Sequence, residues 1–395
     1  VSLPLFPVTT VGSWPRPEPL RRALRGWQAG RLSREEFSAV ADQAVLECLR
    51  HQEEAGVDIV TDGEQRRDNF YSFVADKLEG VRLMSLAEML DVVEDKAAFE
   101  RILTTLDVPA SSIKNPTCVG RLRQRAPLAL DEYRFLRRHT QRPIKVPLPG
   151  PYLMTRAMWV KEASRGFYSS KEELGQDVVA LLRAEVQALA DEGAAFIQFD
   201  EPVLTELVFT QGETLTFMCA ALSARKDPAA ELEFAASLLN QVLEGLSSGV
   251  LTGLHVCRGN WSQKEEVLLK GSYHPLASFF ERIPVGQLVL EFATPRAGGL
   301  SVLGAFPAGR SLGLGVVNPR TPTVESPEEI VARVEEALNW LPPERIYLNP
   351  DCGFGTFSAR PINTAEVARA KLEAMVAAAR CLRQERGGRG RHPQG

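Results

Sequence analysis

Eight short, almost uninterrupted apolar runs constrain this chain more than any other feature. They are Val8–Gly12, Asp58–Gly63, Ile144–Leu148, Phe196–Asp200, Thr252–Val256, Leu288–Phe292, Leu312–Val317 and Ile346–Asn349. A strand that is apolar on both faces must be covered on both faces, the condition of a parallel sheet flanked by helices. Between most of these runs the apolar spacing becomes helical, at Arg34–Ala55, Ser170–Gly193, Asp227–Leu246, Ser326–Leu341 and Thr364–Arg383. Ser326 with Glu329 forms a capping-box start, and Pro327 suits the first helical position. Gly56 and Gly193 suit helix stops. Eight strands with helices between them predict an α/β fold, a (β/α)8 TIM barrel. A doubly wound sheet comes second. It would carry a Gly-rich phosphate loop after its first strand, where this chain has Gly12-Ser13-Trp14-Pro15-Arg16-Pro17.

The expected organisation is one catalytic barrel over residues 1–384. Residues 77–142 are too many for one strand-to-helix connection. This segment is predicted to be a helical insertion between the second and third strands, lying over the barrel mouth. Its helices would be Leu83–Leu103 and Leu128–Arg138, around a Pro-containing piece at Asn115–Gly120. Residues 385–395, rich in Gly and Arg, are expected to be disordered. The net charge is −4 with basic residues dispersed, so no nucleic-acid partner is expected. Val1–Trp14 lacks the pattern of a signal peptide. No apolar run reaches the roughly 18 residues of a membrane span, so the expected location is the cytosol with no membrane partner. Six cysteines are too few for a disulfide scaffold in a chain this long. Cys48, Cys118, Cys219 and Cys381 read as small hydrophobes.

The chemistry gathers at the C-terminal ends of the runs, the end where barrel enzymes carry their sites. His255 and Cys257 are two apart, so on an extended strand they share a face. Glu291 closes the sixth run, and Cys352 follows the eighth in Asn349-Pro350-Asp351-Cys352-Gly353. Two thiolates, an imidazole and a carboxylate are a zinc-type ligand set. Spacing alone leaves structural roles open, because the chain has no CxxC or HExxH pattern. Glu64, Asp200 and Glu201 add carboxylates to the same rim, suited to a substrate ammonium group or to ion pairs with Arg66 and Arg67.

Together these segments resemble the catalytic C-terminal half of cobalamin-independent methionine synthases. The matching pieces are Thr10-Val11-Gly12-Ser13-Trp14-Pro15, Asp62-Gly63-Glu64 with Arg66 to Asn69, and Gln198-Phe199-Asp200-Glu201-Pro202. His255-Val256-Cys257, Glu291 and Asn349-Pro350-Asp351-Cys352-Gly353 complete them in the family's order. The resemblance implies zinc held by His255, Cys257, Glu291 and Cys352. It implies homocysteine as methyl acceptor, with Glu64 and Asp200 on its ammonium group and Ser13 on its carboxylate, and methionine as product. One departure bears on the donor. Where the family carries Asp-x-His-Ser-Pro, this chain reads Asn318-Pro319-Arg320-Thr321-Pro322. Arginine stays protonated and is a poor proton donor at neutral pH. The donor is therefore expected to be either methyltetrahydrofolate or a methylcorrinoid protein, whose cobalt leaves without a proton. The rival readings are zinc-dependent alkylation of another thiol of the coenzyme M type, a metal-free uroporphyrinogen-decarboxylase-like enzyme, and a non-catalytic zinc-binding protein.

Overall fold

The computed structural model describes residues 3–89, 91–92, 96, 114–209, 227–246 and 249–389. Its strands are β1 (Leu78–Ser85), β2 (Lys114–Gln124), β3 (Lys145–Pro149), β4 (Phe196–Asp200), β5 (Leu251–Val256), β6 (Gln287–Leu290), β7 (Ser311–Val317) and β8 (Ile346–Pro350). Strands β3 to β8 form one six-stranded parallel sheet in sequence order. They are buried almost throughout, as apolar runs covered on both faces must be. The first two runs join this sheet through single parallel bridges, Val8 to Leu348, Thr9 to Ile59 and Val60 to Ile144.

Helices connect consecutive strands and bury their apolar faces against the sheet. The helix Arg34–Ala55 starts at a capping box on Ser33 and Glu36 and stops at Gly56, whose φ is +89°. The helix Pro327–Ala337 starts at the expected box of Ser326 and Glu329. The final helix runs from Ala365 to Arg389. Residues 385–389 of the stretch expected to be disordered are thus helical, and 390–395 lie outside the described residues, as does Cys219.

The insertion departs from expectation. Leu83–Ser85, predicted as the start of a helix, ends β1, which pairs antiparallel with β2. Leu86–Met89 and Lys96 are helical there, and most of the remainder to Leu103 lies outside the described residues. The Pro-containing piece is part of β2. Pro116 is tolerated because a two-stranded ribbon leaves each strand one edge without a partner. The ribbon's partners are distant in sequence, so local periodicity could not reveal them. The second expected helix is present as Leu130–Arg137.

One buried ion pair ties that helix to the sheet. Arg67 donates to Glu132 at 2.7 and 3.0 Å and to the Pro147 carbonyl at 2.9 Å, with both side chains nearly sealed from water. Removing one member of such a pair strands a buried charge. Glu132→Ala is therefore expected to cost about 3–5 kcal/mol in urea unfolding. A loss below about 1 kcal/mol would mean that the Pro147 carbonyl suffices for Arg67.

Candidate active site

The register of the parallel strands sets the site. Asp200, the last residue of β4, lies directly beside His255 of β5. Cys257 follows β5, Glu291 follows β6 and Cys352 follows β8. The ligand atoms of His255, Cys257 and Cys352 all lie within 4.8 Å of one another, and all three residues are buried. His255 Nδ1 is 3.2 Å from the Val289 carbonyl, which can only accept, so Nδ1 carries a proton. Its Nε2 is buried with no hydrogen-bond partner. A ring fixed through one nitrogen with the other left bare is the usual arrangement of a metal-bound histidine.

The electrostatics agree. The Cys352 thiol beside Cys257, helped by His255, lowers Cys257 to about 5 against the opposing effect of burial. Cys352 is pushed well above the ordinary thiol range by the Cys257 sulfur and by burial. Burial alone would depress His255, but the adjoining Cys257 raises it to about 9. Of the two sulfurs Cys257 is thus the one that gives up its proton more readily, beside the His255 ring. Two soft sulfurs and one imidazole suit zinc, and binding it would expel the remaining protons.

Glu291 stands apart from this trio. It is fully buried, and its Oε2 accepts from the Arg258 backbone N–H at 2.9 Å. Its Oε1 accepts from Arg296 at 3.0 Å, with Arg320 at 3.8 Å. Arg320 also donates to Glu265 at 2.9 Å and to Asn260 at 3.4 Å. Three guanidiniums therefore converge on the carboxylate expected as the fourth ligand. Arg258 directly follows Cys257, and this adjacency was the one available signal for it. Asp351 braces the same loop by accepting from the Phe292 and Ala293 N–H groups at 2.9 and 2.8 Å.

A cavity of about 400 Å³, counting space at its open mouth, adjoins the trio. Ser13, Glu64, Asp200, His255, Cys257 and Cys352 all line it. Asn260 and Thr356, which the sequence reading missed, line it too, and Asn260 donates to Thr356 at 2.7 Å. Among the described residues neither Glu64 nor Asp200 is spent on a salt bridge. Arg66 pairs with Asp42 and Arg67 with Glu132. Glu64 has one buried oxygen without a partner, and Asp200 accepts from Gln198 at 2.9 Å. Burial raises Glu64 to about 7 and Asp200 to about 6, each further raised by nearby negative charge. Glu64 sits at φ +53°, a strained conformation for a residue with a side chain. A Cβ on Gly12 would collide with its carboxylate, and one on Gly353 with the Ser13 hydroxyl.

Glu201 does not belong to this rim. It accepts from the Tyr152 and Leu153 N–H groups at 2.8 and 2.9 Å and so caps the helix Pro151–Met158. Trp14 is also structural, buried and stacked on His51 with ring centroids 5.9 Å apart. Trp159 caps the end of the same helix and packs against the core.

A parallel α/β sheet with a buried His–Cys–Cys cluster able to hold a metal, and carboxylates beside it in one cavity, is the layout of an enzyme with a thiol-rich pocket. Comparison with known proteins narrows it. The family model described as the catalytic domain of cobalamin-independent synthase matches residues 6–381. The methionine synthase of Thermococcus kodakarensis is 33% identical over 386 residues, covering 98% of this chain and 96% of that protein. That of Pyrococcus abyssi is 31% identical, covering 98% and 95%. The structure of a B12-independent methionine synthase from Shewanella sp. W3-18-1 superposes with a TM-score of 0.70 at 24% identity, covering 97% of this chain and 99% of that one, a likeness of fold. The chain belongs to the cobalamin-independent synthase catalytic-domain family, and it is a methyltransferase.

Proposed function

We propose that this enzyme is a zinc-dependent S-methyltransferase that converts homocysteine to methionine. The observation carrying this reading is one cavity lined both by a soft metal-ligand trio and by two carboxylates, Glu64 and Asp200, that make no salt bridge among the described residues. Bound by His255, Cys257 and Cys352, zinc would supply the Lewis acidity that makes a substrate thiol a thiolate at neutral pH. Glu291 would be the fourth, exchangeable partner, held in reserve by Arg258, Arg296 and Arg320. Glu64 and Asp200 would receive the ammonium group, and Ser13 the carboxylate. Fixing the amino-acid end in this way orients the sulfur for in-line attack on the donor methyl group.

The fold fits this reading. If the bridged segments at Val8 and Ile59 are counted as staves, the sheet closes as a (β/α)8 barrel over one catalytic unit. No helix among the described residues is long and apolar enough to cross a membrane, which is compatible with work in the cytosol. The carboxylates count against the rivals. They would repel both a sulfonate thiol such as coenzyme M and the acidic substrate of a decarboxylase.

The donor is the open element of this reading. The family's description as cobalamin-independent argues against a corrinoid protein. Arg320, buried and paired with Glu265, argues against a proton donor at that place. The test is methionine formation by zinc-loaded protein from homocysteine, with methyltetrahydrofolate and a methylcorrinoid offered in parallel. Turnover with methyltetrahydrofolate is expected. Turnover only with the methylcorrinoid would reassign the donor, and none with either would sink the homocysteine assignment.

A further inference from the structure

We infer that a second cavity, at the base of the insertion, binds a small polyanion of phosphoryl or polycarboxylate type. This cavity holds about 880 Å³, counting space at its open mouth, and is separate from the metal pocket. Five basic side chains line it against two carboxylates, in a chain whose net charge is −4. Two of the five are neutralised within the fold, Arg66 by Asp42 and Arg67 by Glu132. Arg34, Lys77 and Arg125 are not. Among the described residues none of the three makes an ion pair, and the carboxylates lining the cavity with them are Asp76 and Glu132, the latter already paired with Arg67.

Their proximity is built into the backbone. Arg34 opens the helix Arg34–Ala55, Lys77 ends the helix Val74–Lys77, and Arg125 follows β2. The Arg125 and Ala126 N–H groups both donate to the Lys77 carbonyl, at 2.8 and 3.1 Å. This pins Lys77 and Arg125 side by side at the foot of the ribbon. Holding like charges together is unfavourable unless an anion joins them. The walls between the charges are apolar. Phe37 stacks on Trp27 with centroids 4.8 Å apart, and Phe73 lies under Arg67 at 4.3 Å. A concave, cationic, partly apolar site concentrates anions and strengthens their contacts. Burial also pushes the Asp76 carboxyl up to about 6, with Asp68 nearby adding to the effect.

The test is isothermal titration of the zinc-loaded full chain, at low ionic strength, with pyrophosphate and separately with tricarballylate. Saturable one-site binding of at least one is expected. Pyrophosphate alone would assign a phosphoryl ligand, and tricarballylate alone a polycarboxylate. Arg125→Gln and Lys77→Gln should each weaken binding by about tenfold, the loss of one charge-assisted contact. Arg282→Gln, at the exposed end of the helix Ala277–Arg282 between β5 and β6 and outside the cavity lining, should leave it unchanged. Two variants are needed because either substitution alone could loosen the ribbon. Binding of neither anion, or equal affinity in wild type and in whichever of the two variants is folded, would overturn the inference. Because no homocysteine or methyl donor is used, this result is independent of the methyltransferase reading.

Discussion

Replacing Cys352 by Ser is expected to strip the protein of metal and abolish nearly all turnover. The cluster offers two sulfurs and one ring nitrogen within 4.8 Å, so one lost sulfur leaves a two-ligand remnant. Outer-shell substitutions around a metal cost about 10- to 100-fold in affinity, and loss of a ligand should exceed that. Serine would also remain protonated where a thiol gives up its proton. The measurement is bound zinc per chain after dialysis against a chelator, set beside methionine formation. His255→Ala should behave alike, because Nε2 is the third donor. Full activity in a metal-free variant of either kind would overturn the mechanism.

Asp200→Asn combined with Glu64→Gln should mainly weaken homocysteine. Removing charges that face a buried ammonium group costs about 2–5 kcal/mol, or roughly 30-fold or more in apparent affinity. Metal content should be unaffected. The same two groups impose a pH dependence on the wild type. With Glu64 raised to about 7 and Asp200 to about 6, both carry protons below pH 6 and cannot pair with an ammonium group. Apparent affinity should therefore rise from pH 5.5 to pH 8 and level off once both are ionised. A flat profile, or an unchanged affinity in the double variant, would remove both residues from the substrate's ammonium end.

Strand β4 and the helix Arg34–Ala55 fall where the spacing placed them, because burial on two faces and a capping box are local signals. The same locality failed at β1 and β2. Their pairing joins residues such as Val81 and Cys118, and the returning strand carries a proline that reads as a loop. At the site, a pattern two residues apart on one strand identified His255 and Cys257, and the register of β4 against β5 brought Asp200 to them. Glu201, next to Asp200, faces the other way because neighbouring residues at a strand end point to opposite sides. The surroundings of Glu291 were beyond reach of the sequence. Arg258, Arg296 and Arg320 meet there only after three separate loops have folded.

The division of the metal ligands between β5 and the end of β8 has a consequence for biosynthesis. Roughly 95 residues lie between Cys257 and Cys352, so a ribosome adding about 5–20 residues per second makes the second thiol roughly 5–20 s after the first. During that interval the nascent chain would hold the donors of β5 and then Glu291, without the second sulfur of the proposed site. On the proposed ligand set, metal loading would then follow synthesis of the last strand. A metal held there would be a late clasp between two distant parts of the polypeptide.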